Sequence, residues 1–326
     1  MRWTLIGALC VIALGGIALG QRERLPAECR QEIVQLCRGA GGGFRQCVRT
    51  ALPKLSDPCR KAIGARDAAP IAGATEHAFG PDPKQRLDLV KPAGVSRAPV
   101  LLFVHGGGWS IGDKRHAAGD KSAWANENGW AFATANYRLV PQATVENQAA
   151  DVASAIAWLR TNARREGLDP DRIVLMGHSA GAHLVALVGT DPQYLNAAGV
   201  PMNAIKGAVL LDGAGYDIAP QANSKLNPVK PMYEAAFGND PKRQAELSPT
   251  LQAAAPNVDR WLILPVASRI DSRNQSNGLA DALNRAGASA EVVAVPGENH
   301  GSLNKGLGET GDFATEQVDK FLAGAR

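Results

Sequence analysis

Short apolar runs alternate with longer amphipathic segments over most of the chain, and this alternation constrains the fold more than any other feature. The runs resemble strands that are buried on both faces of a parallel sheet, and segments with helical spacing separate them. This order predicts an α/β fold with a doubly wound, mainly parallel sheet. We expect an edge strand at 86–91 and further strands at 99–104, 130–135, 172–176, 206–211, 260–266 and 290–295.

The amphipathic segments predict helices that cover both faces of this sheet. We expect them at 118–127, 146–165, from 180 onward, at 275–285 and at 312–322. Residues 214–259 show no strand pattern and are rich in Pro, Asn and Ala. We interpret this segment as an insertion over the carboxyl edge of the sheet that forms a lid or a pocket wall. The whole domain is expected to span 71–326.

The first twenty residues have the pattern of a signal peptide. Arg2 precedes an apolar run from Leu5 to Leu19, and small residues near Gly20 provide a cleavage site, so residues 1–20 are predicted to be removed. An uncleaved anchor is the alternative, but the run is short for a spanning helix, which needs ~20 apolar residues. We therefore expect an exported protein, periplasmic or secreted, with no stable membrane span after cleavage.

A cysteine-rich module is predicted at 21–70, with short helices that carry Cys29, Cys37, Cys47 and Cys59. Four cysteines in a short exported segment indicate two disulfides, because a zinc site usually shows close C-x-x-C pairs. A helical hairpin favours the pairs Cys29–Cys59 and Cys37–Cys47, although the sequence permits three pairings. The pattern CRQEIVQLC…CVRTAL…LSDPCR resembles the cysteine-rich repeat of Golgi-type cysteine-rich glycoproteins.

The formal net charge of +4 arises in this module. Residues 22–67 contain ten Lys or Arg and five Asp or Glu, so the rest of the chain carries no positive excess. We interpret these charges as a solvated face, with weak contact to an anionic surface as the alternative. Aromatic residues do not interleave with the basic ones, so no nucleic-acid partner is expected.

A nucleophile elbow is indicated by the residues Gly177-His178-Ser179-Ala180-Gly181. They follow a predicted strand directly and open an apolar helix, which is the context that presents a serine on a sharp turn. Ser179 is therefore the candidate nucleophile. The competing interpretation is a glycine-rich helix start with an inert serine cap.

A second glycine motif, His105 to Trp109, follows the strand predicted at 99–104. Main-chain N–H groups of Gly107 and Gly108, together with that of Ala180, are the expected oxyanion hole. A flexible turn is the alternative. Trp109 is a candidate wall of the substrate pocket, with packing as an equal alternative, and His178 is a second candidate for the pocket.

His300 is the candidate base, because it lies in a loop after the last predicted strand and the order Ser, Asp, His requires a base behind the acid. The remaining five histidines lie earlier in the chain: His77, His105, His116, His178 and His183.

Asp271 is the candidate acid, since it lies just past the strand predicted at 260–266 and a carboxylate must accept the His300 Nδ1–H. Asp217 is the second choice, and Asp212 and Asp281 are further rivals.

Five segments together resemble the α/β-hydrolase superfamily, and within it the esterase and kynurenine-formamidase-like group that includes the BD-FAE-type hydrolases. They are HGGGWSIGDK at 105–114, NYRL at 136–139, GHSAGAHL at 177–184, SRIDSRNQS at 268–276, and the stretch 300–308. The resemblance covers about 75–324. It implies a Ser179–Asp271–His300 triad with an oxyanion hole at Gly107 and Gly108.

The activity implied by this resemblance is hydrolysis of a small carboxylic ester or related acyl bond, without a metal or cofactor. An amide hydrolase acting on formamides is one alternative. A non-catalytic surface-binding protein is another, although a scaffold has no need of a complete triad. The exported, cysteine-capped N-terminus departs from the cytosolic formamidases.

Overall fold

The computed structural model describes residues 26–37, 54–64, 70–224 and 229–325, and the predicted signal peptide lies outside them. One sheet of eight strands has the order β1-β2-β4-β3-β5-β6-β7-β8. β1 and β2 pair in antiparallel fashion, as do β2 and β4, and the other neighbours are parallel. The predicted doubly wound, mainly parallel sheet is confirmed. The strands are β1 (Thr75–Ala78), β2 (Arg86–Val90), β3 (Ala98–Val104), β4 (Ala131–Ala135), β5 (Leu168–His178), β6 (Ile205–Leu211), β7 (Arg260–Leu264) and β8 (Ser289–Val292).

Helices cover both faces of the sheet, because alternate residues of each central strand point to opposite sides. On β3, Leu102 belongs to the larger apolar core, whereas Phe103 belongs to a second core on the other face. The helices of the body are α3 (Lys114–Ala118), α4 (Lys121–Glu127), α5 (Val145–Thr161), α6 (Ala163–Glu166), α7 (Ala180–Thr190), α8 (Pro192–Ala197), α13 (Ile270–Arg285), α14 (Ser302–Gly306) and α15 (Phe313–Ala323).

The segment predicted as an insertion contains short helices and, in its described part, no strand. These helices are α9 (Ile218–Asn223), α10 (Lys230–Phe237), α11 (Pro241–Glu246) and α12 (Pro249–Gln252). Tyr233 and Phe237 of α10 are buried in the larger core. The insertion is therefore anchored to the body through the apolar face of α10.

Two helices, α1 (Ala27–Cys37) and α2 (Asp57–Gly64), are described in the cysteine-rich module. The predicted disulfide Cys29–Cys59 joins them. Cys37 is also disulfide-bonded, whereas Cys47, its predicted partner, lies outside the described residues. The buried residues of this module pack against Ile111, just beyond the glycine motif. Over the described ranges, the structure contains no helix with the length and apolarity needed to cross a membrane.

Candidate active site

Ser179 stands on a strained turn between a strand and a helix. β5 ends at His178 and α7 begins at Ala180, and Ser179 between them has φ +57° and ψ −122°. A residue other than glycine in such a conformation costs ~1–3 kcal/mol. The turn is held by the Ser179 N–H, which donates to the Leu211 carbonyl at 3.0 Å. It also requires glycine at 181, because a Cβ there would lie 2.1 Å from the Val104 carbonyl oxygen.

The imidazole of His300 lies next to this serine, with Nε2 at 3.0 Å from Ser179 Oγ. Two contacts position its loop. His178 Nε2 lies 2.8 Å from the His300 carbonyl and must donate to it, and the Lys121 ammonium donates to the Asn304 carbonyl on α14. The structure thus brings together the nucleophile and the base that the sequence predicted.

The carboxylate beside His300 belongs to Asp212, and the prediction of Asp271 was wrong on this point. Asp212 Oδ2 lies 2.6 Å from His300 Nδ1, and Oδ1 accepts the Val266 N–H at 3.0 Å. The Asp212 side chain is fully buried. β5 and β6 are neighbours, and His178 at the end of β5 pairs with Leu211 at the end of β6. Asp212 and Ser179, the next residues along the chain, therefore follow the two strands side by side at the carboxyl edge of the sheet.

Asp271 lies in the first turn of α13, a helix that starts five residues earlier than the sequence predicted. Its side chain is 55% exposed and accepts a hydrogen bond from Arg269 Nη2 at 3.0 Å. Asp217, the second choice, is the N-cap residue of α9, and Asp281 lies inside α13. The signal that could have identified Asp212 is its position immediately after a predicted strand.

Electrostatics keep Asp212 ionised. Burial alone would raise its pKa. The hydrogen bond from His300, the Arg269 guanidinium and the Val266 N–H together hold the pKa of Asp212 well below its usual range. Burial and the neighbouring His300 lower the pKa of His178 to about 3, so its ring remains neutral at neutral pH.

The glycine motif passes close to the elbow. A Cβ on Gly106 would lie 2.9 Å from Ser179 Cβ, so this position has room only for glycine. Gly107 and Gly108 follow with positive φ of 127° and 57°. The loop is fixed by the Tyr137 hydroxyl, which donates to the His105 carbonyl at 2.9 Å.

Trp109 does not line an open pocket, contrary to one of the two predictions for it. Its side chain is buried, its Nε1 donates to His183 Nδ1 at 3.3 Å, and its ring packs edge-on against Phe237. The space above Gly108 is occupied instead by Met232 of α10, whose Sδ would be 2.3 Å from a Cβ at that glycine. Met232 was not predicted from the sequence, because nothing in the local pattern connects it with the glycine motif.

His178 was also predicted to line the pocket. The contacts that the structure shows for it are with the base, through the hydrogen bond to the His300 carbonyl and a ring separation of 4.6 Å from the His300 imidazole. We therefore regard His178 as a support of the base.

The chain is similar in sequence to known esterases. A family model described as BD-FAE matches residues 87–213. Isoprenylcysteine alpha-carbonyl methylesterase ICME of Arabidopsis thaliana is 29% identical, and the match covers 69% of this chain and 56% of the length of that protein. Esterase LipC of Mycobacterium tuberculosis is 36% identical over 38% of this chain and 34% of its own. The chain thus spans about a third to a half of the length of these relatives.

The fold is also that of a solved esterase. The structure of Thermogutta terrifontis esterase 2 phosphonylated by sarin superposes with a TM-score of 0.67 and 23% identity, covering 80% of this chain and 98% of that chain. The chain therefore has the fold of this solved esterase, and its residues 87–213 match the BD-FAE family model.

Proposed function

We propose that this chain is a serine hydrolase that cleaves small carboxylic esters through an acyl-enzyme on Ser179. The observation that carries the proposal is the continuous line of hydrogen bonds from Ser179 Oγ to His300 Nε2 and from His300 Nδ1 to Asp212 Oδ2, at 3.0 and 2.6 Å. The same three groups in this order activate a serine in other hydrolases. The named esterases to which the chain is similar support the same reaction.

In the acylation step, His300 Nε2 takes the proton of Ser179 Oγ while this oxygen attacks the ester carbonyl. Asp212 accepts the Nδ1–H, which fixes the tautomer with a free Nε2 and stabilises the imidazolium that forms. The alcohol leaves with the proton from His300. In the second step, the same imidazole takes a proton from water, and the water oxygen attacks the acyl-enzyme and releases the acid.

The negative charge on the carbonyl oxygen is assigned to main-chain donors at Gly107, Gly108 and Ala180. Ala180 is the first residue of α7, so its N–H has no partner within the helix and adds the positive end of the helix dipole. Loss of one such donor typically costs ~3 kcal/mol in transition-state stabilisation. The positive φ at Gly107 and Gly108 turns the chain around the space next to Ser179.

The acyl group is expected to be short. Met232 lies against Gly108, and below it Trp109, Tyr233 and Phe237 form a buried aromatic cluster. These side chains fill the space next to the proposed oxyanion hole into which a long acyl chain would extend. An aryl-formamide substrate would fit the same chemistry and is the second candidate.

The proposal is tested with p-nitrophenyl esters from acetyl to palmitoyl and with N-formyl-kynurenine, on wild type and Ser179→Ala. We expect turnover of the short esters, and a loss of at least ~10⁴-fold in kcat in the variant, because the nucleophile is removed. A fluorophosphonate probe should add its mass to wild type and not to the variant.

Far-UV circular dichroism is the control that both proteins are folded. Cleavage retained by Ser179→Ala would contradict the assignment of the nucleophile. Faster turnover of N-formyl-kynurenine than of any ester would select the formamide reaction. Probe labelling without turnover of any substrate would show that Ser179 is reactive and would overturn the proposal of ester hydrolysis. The absence of both labelling and turnover would favour the surface-binding alternative.

We also propose that the protein acts outside the cytoplasm. The support is the apolar run behind Arg2 and the disulfide Cys29–Cys59, since disulfides persist in oxidising compartments. Fractionation of producing cells, with N-terminal sequencing, is the test. We expect the mature chain to begin at Gln21 in the exported fraction, and a full-length chain in the cytoplasm would contradict this.

A further inference from the structure

Arg269 connects two carboxylates at the carboxyl edge of the sheet. It is the N-cap residue of α13, and its side chain is 30% exposed. Nη1 donates to Asp212 Oδ2 at 2.5 Å, and Nη2 donates to Asp271 Oδ2 at 3.0 Å. Nη1 also lies 2.8 Å from His300 Nδ1. A guanidinium therefore touches both the carboxylate and the imidazole of the proposed catalytic triad.

The three atoms Asp212 Oδ2, His300 Nδ1 and Arg269 Nη1 form a triangle, and only one arrangement of protons suits a general base. His300 Nε2 must be free to accept the proton of Ser179, so Nδ1 carries a hydrogen and donates it to Asp212 Oδ2. Arg269 Nη1 then donates to the same oxygen, and its short distance to Nδ1 is a contact between two donors. The carboxylate is held by three donors, because Oδ1 also accepts the Val266 N–H.

A permanent cation this close has an electrostatic effect on the imidazole. It leaves the neutral ring almost unaffected and repels the imidazolium, which opposes the attraction from Asp212. Asp271 pairs with the other end of the guanidinium and reduces this repulsion, although its exposure to solvent screens the effect.

We propose that Arg269 is a positioning residue of this active site that orients Asp212 toward His300 and places a permanent cation against the imidazolium that forms during the reaction. The proposal rests on the proposed function, because it assigns His300 as the base. Its consequence is that removal of this cation should change how the activity depends on pH.

Other groups near His300 do not reproduce this contact. His178 is neutral, and its ring lies 4.6 Å from the His300 ring at a tilt of 36°. The Lys121 ammonium donates to the Asn304 carbonyl. Burial raises the pKa of both Tyr216 and Tyr233, so their hydroxyls remain uncharged. Among the described residues, His178, Asp212 and Arg269 contact His300 itself, whereas Asp271, Tyr216 and Tyr233 interact with Arg269.

The test is the pH dependence of kcat/KM for the best short ester in wild type, Arg269→Gln and Asp271→Asn. Removal of the cation should move the acidic limb upward by roughly one pH unit. Removal of the Asp271 charge strengthens the repulsion between Arg269 and the His300 imidazolium. The acidic limb should therefore move downward by about 0.3 pH unit. A purely structural role of Arg269 would lower the plateau and leave the limb in place.

Two further variants serve as controls. Arg269→Lys retains the positive charge but loses the two Nη donors that contact Asp212 and Asp271. Its acidic limb should stay near that of wild type, while the plateau of kcat/KM falls. Arg243→Gln is matched, since Arg243 is 27% exposed and forms a two-point pair with Glu146, which is not part of the proposed triad. Its acidic limb should coincide with that of wild type.

A second readout does not need turnover. The ring resonances of His300, assigned with a His300→Asn variant, can be titrated by NMR in wild type and Arg269→Gln. An upward move of this titration in Arg269→Gln supports the proposal even if no ester is cleaved, in which case the proposed function fails alone. Coincident titrations, or a downward move, would overturn the role of Arg269 even in an active esterase.

Discussion

Asp212 and Asp271 follow neighbouring strands at the same edge of the sheet, and only Asp212 contacts the proposed base. The Asp212 side chain is fully buried and accepts hydrogen bonds from His300, Arg269 and Val266. Asp271 is 55% exposed and forms an ion pair with Arg269. Strand-end position alone therefore does not select a catalytic acid. Burial and the number of donors around the carboxylate distinguish the two.

The difference originates in the backbone. Asp212 follows β6 directly and has φ +42°, a conformation that residues other than glycine rarely adopt. Asp271 comes seven residues after the end of β7, in the first turn of α13, where a carboxylate is favoured by the helix dipole. One segment has a strained backbone that directs the side chain into the site. The other is an ordinary helix start that faces solvent.

The largest expected difference between the two carboxylates is in kcat, and it is measured by neutralising each of them in turn. Asp212→Asn should lower kcat for a short ester by ~10⁴-fold, because the amide cannot fix the tautomer or stabilise the imidazolium. Asp271→Asn should stay within about threefold of wild type, because this exposed charge acts on His300 only through Arg269. Steady-state kinetics at the pH optimum measures both.

Asp217→Asn is the control for the second acid considered from the sequence, and we expect wild-type kinetics for it. Far-UV circular dichroism should show the same fold for all three variants. A large loss in Asp271→Asn with an active Asp212→Asn would reverse the assignment of the acid. Equal intermediate losses in both would mean that the two carboxylates share the role.

Much of the fold and half of the site could be predicted from sequence because their signals are local. The buried strands showed as apolar runs, and the elbow showed as a serine between glycines at a strand-to-helix junction. His300 followed from chain order, since a base must come from a loop that returns to the elbow. Each of these inferences depends on residues within one segment.

The position of the acid and the contacts of Met232 and Trp109 depend on several segments at once, so they could not be predicted in this way. Asp212 reaches His300 because β6 pairs with β5 in the register that aligns Leu211 with His178. Its positive φ has no signature in the sequence. Met232 meets Gly108 only because α10 folds back over the glycine motif. The pocket and packing roles of Trp109 could not be distinguished from the sequence, because its buried aromatic neighbours lie more than seventy positions away.

A smaller effect, on stability, should distinguish the same two carboxylates without any substrate. The pKa of Asp212 lies below its usual range in the folded protein, so the folded state binds fewer protons than the unfolded state in acid. The resulting stabilisation is fully present above about pH 5 and fades as the pH falls through the ordinary Asp range near 4. Asp212→Asn cannot titrate at this position and lacks this pH-dependent component.

Urea unfolding of wild type and both variants from pH 6 to pH 3 measures this component. The difference in unfolding free energy between wild type and Asp212→Asn should shrink by about 1 kcal/mol over this range. The curve of Asp271→Asn should run parallel to that of wild type, because this side chain is 55% exposed and solvent screens its pair with Arg269. If the Asp212→Asn curve ran parallel instead, the folded and unfolded states would bind a proton at Asp212 equally tightly. The donors around this carboxylate would then not favour its ionised form, so this result would also contradict the role of Asp212 in the proposed triad.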